Sequence, residues 1–157
     1  MIKKFIYIIS FCLFTQAIFA AGGDDSSSSP EANLYKDAES IVKRAKKLDK
    51  EGKTEKAVKL FSSAYKKLLE ANNKDKNNPD ILNYLGFTLR KMGKYDEAEK
   101  YYLSGLAIKP DHHGIKEYLG ELYVKTNRID LAKEQLAALK GCKCEEYEEL
   151  EEVIKNN

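Results

Sequence analysis

Two thiols and two imidazoles are the side chains of this sequence whose types and spacing point to chemistry. Cys142-Lys143-Cys144 holds the thiols, and His112-His113 supplies all the imidazole in 157 residues. Three chemistries fit. In an oxidising compartment the thiols form a local disulfide, or remain structural, and fix a turn. A redox-active dithiol would need a lowered thiolate pKa. The glutamates that follow, Glu145, Glu146, Glu148, Glu149, Glu151 and Glu152, oppose this, while a helix starting near Cys144 would favour it. As ligands, Cys142 and Cys144 with His112 or His113 offer two sulfurs and a nitrogen, a set that suits zinc or copper. The mass of the intact protein separates these readings, because a disulfide removes two hydrogens and a bound metal adds its own mass. The primary reading is the disulfide, with no metal.

Other chemistry is poorly supplied. The sequence has no phosphate-binding loop, dinucleotide glycine fingerprint, nucleophile elbow or zinc-protease helix motif. Carboxylates are plentiful, but in charged, periodic stretches they read as solvated helix surface. No enzymatic activity and no cofactor are expected.

The elements that must position these residues begin after an address. Met1–Lys4 is a short basic start, Phe5–Phe19 is an apolar run, and Ala20-Ala21-Gly22 closes it, the layout of a secretory signal peptide over residues 1–21. The run is shorter than the roughly 20 residues that span a bilayer, so cleavage is favoured over an uncleaved anchor. Cys12 follows Phe11 rather than a small residue and leaves with the signal. An exported, periplasmic protein is expected, without stable membrane insertion after cleavage; membrane anchoring is the alternative. Residues 22–30, with four consecutive serines, read as a flexible linker.

Composition then favours helix. Hydrophobic residues make up 43% and charged residues 33%, with 3 prolines and no tryptophan. The formal charge of +2 falls to balance once Lys3 and Lys4 leave, with 25 bases facing 25 acids. A neutral chain lacks the electrostatic footprint of a nucleic-acid binder.

Self-similarity is the strongest signal. Leu85-Gly86 recurs as Leu119-Gly120, Leu89 as Tyr123, Ala98 as Ala132 and Tyr102 as Leu136, each 34 residues on. A third copy lies upstream, where Ala45, Leu48, Gly52, Ala57, Phe61 and Ala64 precede Gly86, Leu89, Gly93, Ala98, Tyr102 and Gly105 by 41. The excess of seven residues is two helical turns, placed at the end of the helix that contains Leu68 and Leu69. Small residues at Gly86, Gly120, Ala98 and Ala132 let antiparallel helices cross closely, and the large apolar positions fill the space between units.

With its period of 34, Leu82, Leu85-Gly86, Leu89, Ala98, Tyr102 and Pro110, the stretch from Pro79 to Asp111 resembles the tetratricopeptide repeat. The resemblance implies an all-α fold: a right-handed superhelical stack of about three helix-turn-helix units, over about 38–78, 79–112 and 113–144. Tyr147, Leu150, Val153 and Ile154 share one side of a capping helix over about 145–155 that closes a domain spanning 31–157. In such a hairpin the start of the first helix and the end of the second lie together, which brings His112 or His113 towards Cys142 and Cys144.

In this family the first helix of each hairpin lines a concave face on which peptides bind. The resemblance therefore nominates Asn83, Phe87, Arg90 and Lys91 in the central unit and Glu117, Glu121 and Val124 in the next. Phe87 is either a binding anchor or a packing aromatic. Positions that form a carboxylate clamp in some members carry Val42, Lys46, Tyr84, Gly114 and Tyr118 here, so that mode is absent. The mixed charge of the face predicts a partner segment that is also mixed in charge or is read through apolar contacts. The expected function is an exported scaffold for a protein or peptide partner. The alternative is a thiol- or metal-handling factor built on Cys142 and Cys144, and self-association through an open end of the stack is a third possibility.

Overall fold

The computed structural model describes residues 30–157. The expected signal peptide and nearly all of the expected linker lie outside these residues, while Pro30 opens the first helix. Seven helices follow in order: α1 (Pro30–Lys50), α2 (Thr54–Lys74), α3 (Pro79–Lys91), α4 (Tyr95–Ile108), α5 (His113–Lys125), α6 (Ile129–Leu139) and α7 (Glu145–Lys155). The described chain is an all-α helical repeat stack.

The turns inside the three hairpins share one construction. Gly52, Gly93 and Asn127 occupy the equivalent position with φ of 73°, 79° and 58°. This left-handed conformation ends a helix without a Cβ clash in glycine and with tolerance in asparagine. The next residue in each case, Lys53, Lys94 or Arg128, donates its amide back to Leu48, Leu89 or Tyr123 at 2.9, 3.0 and 2.7 Å. Between hairpins, the Asn78 side chain accepts the amides of Asp80 and Ile81 ahead of Pro79 in the first turn of α3. His112 does the same for α5, its Nδ1 accepting from the Ile115 amide at 3.2 Å.

Each helix packs on its successor in sequence. In addition the backbones of α1 and α3, of α3 and α5, and of α5 and α7 lie close together, whereas those of α2 and α4, and of α4 and α6, do not; α2 and α4 meet through the side chains of Tyr65 and Tyr101. The odd-numbered helices thus form a continuous inner layer, and the even-numbered ones splay on the outside. This curvature makes the odd layer concave.

The first hairpin is longer than the others. The 21 residues of α2 exceed the 14 of α4 by seven, and α1 begins at Pro30, about two turns ahead of the expected unit start at 38. The two extensions face each other: Leu34, Tyr35 and Ala38 from the start of α1 pack with Leu68 and Ala71 from the end of α2. An antiparallel helix lengthened at one end leaves apolar surface bare unless its partner lengthens to match.

The close crossings have different fillers in the two later units. A Cβ at Gly86 would lie 2.5 Å from the ring of Tyr102, so α3 and α4 approach through that glycine. In the following unit a Cβ at Gly120 would lie 2.5 Å from Leu150 of α7. The repeat register puts Leu136 opposite Gly120, but Leu136 is half-buried and Leu150 is fully buried. The capping helix therefore inserts its own leucine into the crossing.

Candidate concave groove

A cavity of about 270 Å³ opens on the concave side, with residues from all four inner helices around it. Its floor comes from α3 and α5. The rings of Phe87 and Tyr118 lie 4.9 Å apart between centroids, the Arg90 guanidinium sits 5.5 Å from each, and the Lys46 ammonium lies 5.5 and 6.0 Å from the two. Cations at these distances are attracted to the ring faces, which helps hold the arginine over the floor. Arg90 also pairs with Glu121, and Lys91 with Asp49 of α1. Burial, followed by the charge of Glu117, pushes the Tyr118 hydroxyl well above its ordinary pKa, so it is a neutral hydrogen-bonding group.

The two walls carry opposite charge. Lys46 and Lys50 of α1 stand exposed on one side, and Glu149 and Glu152 of α7 stand exposed on the other, with Val153 beside them. Helical spacing explains both walls: residues three or four apart share a face, so Lys46 and Lys50 line up, as do Glu149 and Glu152.

Glu117 sits between floor and acidic wall and is 3% exposed. Burial raises its pKa to about 10, with the hydrogen-bonding contact from Glu149 and the charge of Glu121 adding to the effect. The folded protein thus holds a proton there that the unfolded chain releases near pH 4.5. Stability from this proton is fully present below pH 4.5 and is lost as pH rises towards 10. A whole proton corresponds to about 1.4 kcal/mol per pH unit, and solvent reaching the groove reduces this to a fraction. Denaturant titrations are expected to show stability falling by on the order of 1–2 kcal/mol between pH 5 and pH 9, and Glu117→Gln is expected to flatten that profile. An identical slope in the variant would remove Glu117 as its source.

Of the residues nominated from sequence, Phe87, Arg90, Lys91, Glu117 and Glu121 come together around this cavity. Asn83 and Val124 do not line it. Asn83 is buried, with its amide nitrogen 3.2 Å from where a Cβ on Gly114 would stand, and Val124 packs in the core with Leu122 and Tyr123. Phe87 is both a packing residue and part of the floor: it is 3% exposed, meets Phe61 edge-on and lies tilted against Tyr118. Lys50 was not singled out, and Glu149 and Glu152 were named only within the acidic run after Cys144, because the walls come from the first and last helices of the domain; Lys46 and Tyr118 are clamp positions. Of those positions Val42 is core, while Tyr84 packs edge-on against Tyr35 and Phe87.

The sulfur turn lies apart from the groove. Cys142 and Cys144 are joined by a disulfide with an S–S distance of 2.01 Å. His113 lies beside them, whereas His112 faces Asp80 through Nε2 at 2.9 Å while capping α5.

The family model of the tetratricopeptide repeat matches residues 79–112. The chain carries a tetratricopeptide repeat. No curated protein matches the sequence. Among solved structures, this repeat chain is similar to the Yersinia enterocolitica type III secretion translocator chaperone SycD in an alternative dimer, at 20% identity and a TM-score of 0.50, over 76% of this chain and 86% of that one. It is also similar to SycD in complex with a peptide of the translocator YopD, at 21% identity and a TM-score of 0.47, over 75% and 86% of the two chains. A third similar structure is the first such domain of Spaghetti (RPAP3) bound to an HSP90 peptide, at 16% identity and a TM-score of 0.48, over 76% and 91%. No helix among the described residues is long and apolar enough to cross a membrane.

Proposed function

We propose that the protein is a non-enzymatic scaffold that holds an extended peptide segment of a protein partner in the concave groove. The observation that carries this reading is the pairing of a basic wall, Lys46 and Lys50, with an acidic wall, Glu149 and Glu152, across an aromatic floor. A cavity of about 270 Å³ is at or below the lower limit for drug-sized ligands and cofactors, and matches one or two side chains projecting from a longer chain. The bound segment presents an acidic side chain to α1, a basic one to α7 and an apolar one to the floor. Its charge order fixes its direction, because reversal sets like charges against each other.

Panning a peptide display library against the full chain is expected to enrich sequences in which acidic and basic residues flank an apolar one in a fixed order. Enrichment without charge order would count against this reading. We further propose that the scaffold acts after export, on the basis of the basic start, apolar run and small-residue close of residues 1–21.

A further inference from the structure

The turn before α7 contains a second potential site, unrelated to the groove. Gly141 and Lys143 both adopt left-handed backbone, with φ of 94° and 53°, so the chain reverses sharply on either side of Cys142. The turn is anchored at its base by the Cys142 amide, which donates to the Leu139 carbonyl at 3.1 Å, and Leu139 is buried. Both sulfurs emerge towards the start of α5, where His113 is the first helical residue. One ring nitrogen of His113 and the two Sγ atoms all lie within 4.8 Å of one another.

The two histidines have divided their roles. Both nitrogens of His112 are engaged, one by the Ile115 amide and the other by Asp80. His113 is exposed and makes no hydrogen bond or ion pair among the described residues, so its ring is free to turn onto a ligand.

We propose that reduction of the Cys142–Cys144 disulfide converts this turn into a zinc site in which the two thiolates and the His113 imidazole hold the ion. Two equivalents of a low-molecular-weight thiol supply the two electrons and two protons: the S–S bond breaks, two cysteine thiols form, and the reductant leaves as its own disulfide. Binding Zn²⁺ then releases the two thiol protons. Zinc takes sulfur at about 2.3 Å and imidazole nitrogen at about 2.0–2.1 Å, which sets the ligand atoms of a tetrahedral site roughly 3.5–3.8 Å apart. Opening the disulfide and turning one exposed imidazole reach that spacing without rebuilding the helices. Cys144 at the N-terminus of α7 gains from the helix dipole as a thiolate, and Glu145, Glu146 and Glu148 in the first turn lower the cost of bringing a dication near. Three protein ligands leave the fourth position to water.

The experiment uses the full chain, oxidised or reduced with dithiothreitol, then exposed to Zn²⁺ alone and followed by native mass spectrometry and competition with a chromophoric chelator. The reduced chain is expected to gain one zinc and the oxidised chain none. Cys142→Ser with Cys144→Ser is expected to abolish uptake while retaining Cys12, which isolates any contribution from that residue. His113→Ala is expected to weaken binding at least tenfold, and His112→Asn, which keeps the helix cap, to leave it unchanged. Co²⁺ in place of zinc is expected to give a thiolate-to-metal charge-transfer band only after reduction. Equal uptake by the oxidised chain, no uptake by the reduced chain, or wild-type affinity in His113→Ala would each overturn the proposal.

Discussion

Replacing Tyr102 by alanine is expected to destabilise the fold by about 3–5 kcal/mol, a fall in melting temperature of roughly 10–20 °C for a domain of this size. The ring is completely buried between α3 and α4. Its removal leaves a cavity facing Gly86, and the helices cannot close on it without dragging Leu89 and Leu122 from the same core. The complementary change is informative. A side chain at Gly86 has no room, since even a Cβ would stand 2.5 Å from the ring, so Gly86→Leu alone is expected to cost about 1–3 kcal/mol or more. In the Tyr102→Ala background the leucine enters the vacated space, and the two costs should fall short of their sum by more than 0.5 kcal/mol, the usual threshold for coupled neighbours. Calorimetry on the two single variants and the double variant checks this, and strictly additive values would show that the glycine and the ring do not share one crossing.

Leu150→Ala carries the second large effect and connects stability to binding. Leu150 is fully buried and fills the hollow above Gly120, so truncation is expected to cost about 2–5 kcal/mol. The loss should be localised: α7 is held mainly by Leu150 with the half-buried Val153 and Ile154, and hydrogen exchange is expected to show its amides opening before those of α3 and α4. Because Glu149 and Glu152 form the acidic wall, peptide binding should weaken together with α7 protection. If α7 were a frayed tail, the substitution would shift the melting temperature by less than about 1 °C and leave peptide binding intact.

The fold was largely legible because its determinants are local and periodic. A 34-residue offset, small residues at the crossings and a glycine or asparagine after each first helix are short-range requirements that each unit must meet separately. The two extra turns of α2 could be counted from the 41-residue offset. Their counterpart on α1 could not, because the need arises only when the helices lie side by side. The filler of the Gly120 crossing is hidden for a similar reason: the repeat register aligns Leu136 with Tyr102, but α6 has only 11 residues and the next helix supplies Leu150 instead.

The site was more legible in its floor than in its walls: the acidic run after Cys144 stood out in the sequence, but not what it faces. Phe87, Arg90, Lys91, Glu117 and Glu121 belong to two successive units, and the family pattern points at them directly. Lys46 and Lys50 come from the first helix of the domain and Glu149 and Glu152 from the last, so their apposition depends on the curvature of the whole stack. Glu117 was nominated for its place on the concave face, not for its burial. It is a buried, protonated group because α7 folds over it, and no spacing rule marks that. The neighbouring histidines separate just as sharply, since a helix cap claims one and leaves the other beside the sulfurs.

Charge reversal of one wall at a time tests the central claim most directly, because all four wall residues are exposed and their only contacts with buried groups are those of Glu149 with Glu117 and of Lys46 with the rings of Phe87 and Tyr118. Isothermal titration of the best peptide from the display library should give at least a tenfold loss of affinity for Lys46→Glu with Lys50→Glu, and a comparable loss for Glu149→Lys with Glu152→Lys. Melting temperatures should stay within a few degrees of the parent. A peptide with its acidic and basic residues exchanged should recover affinity for the chain in which both walls are reversed. Unchanged affinity in both wall variants would contradict the account and place the binding surface elsewhere on the molecule.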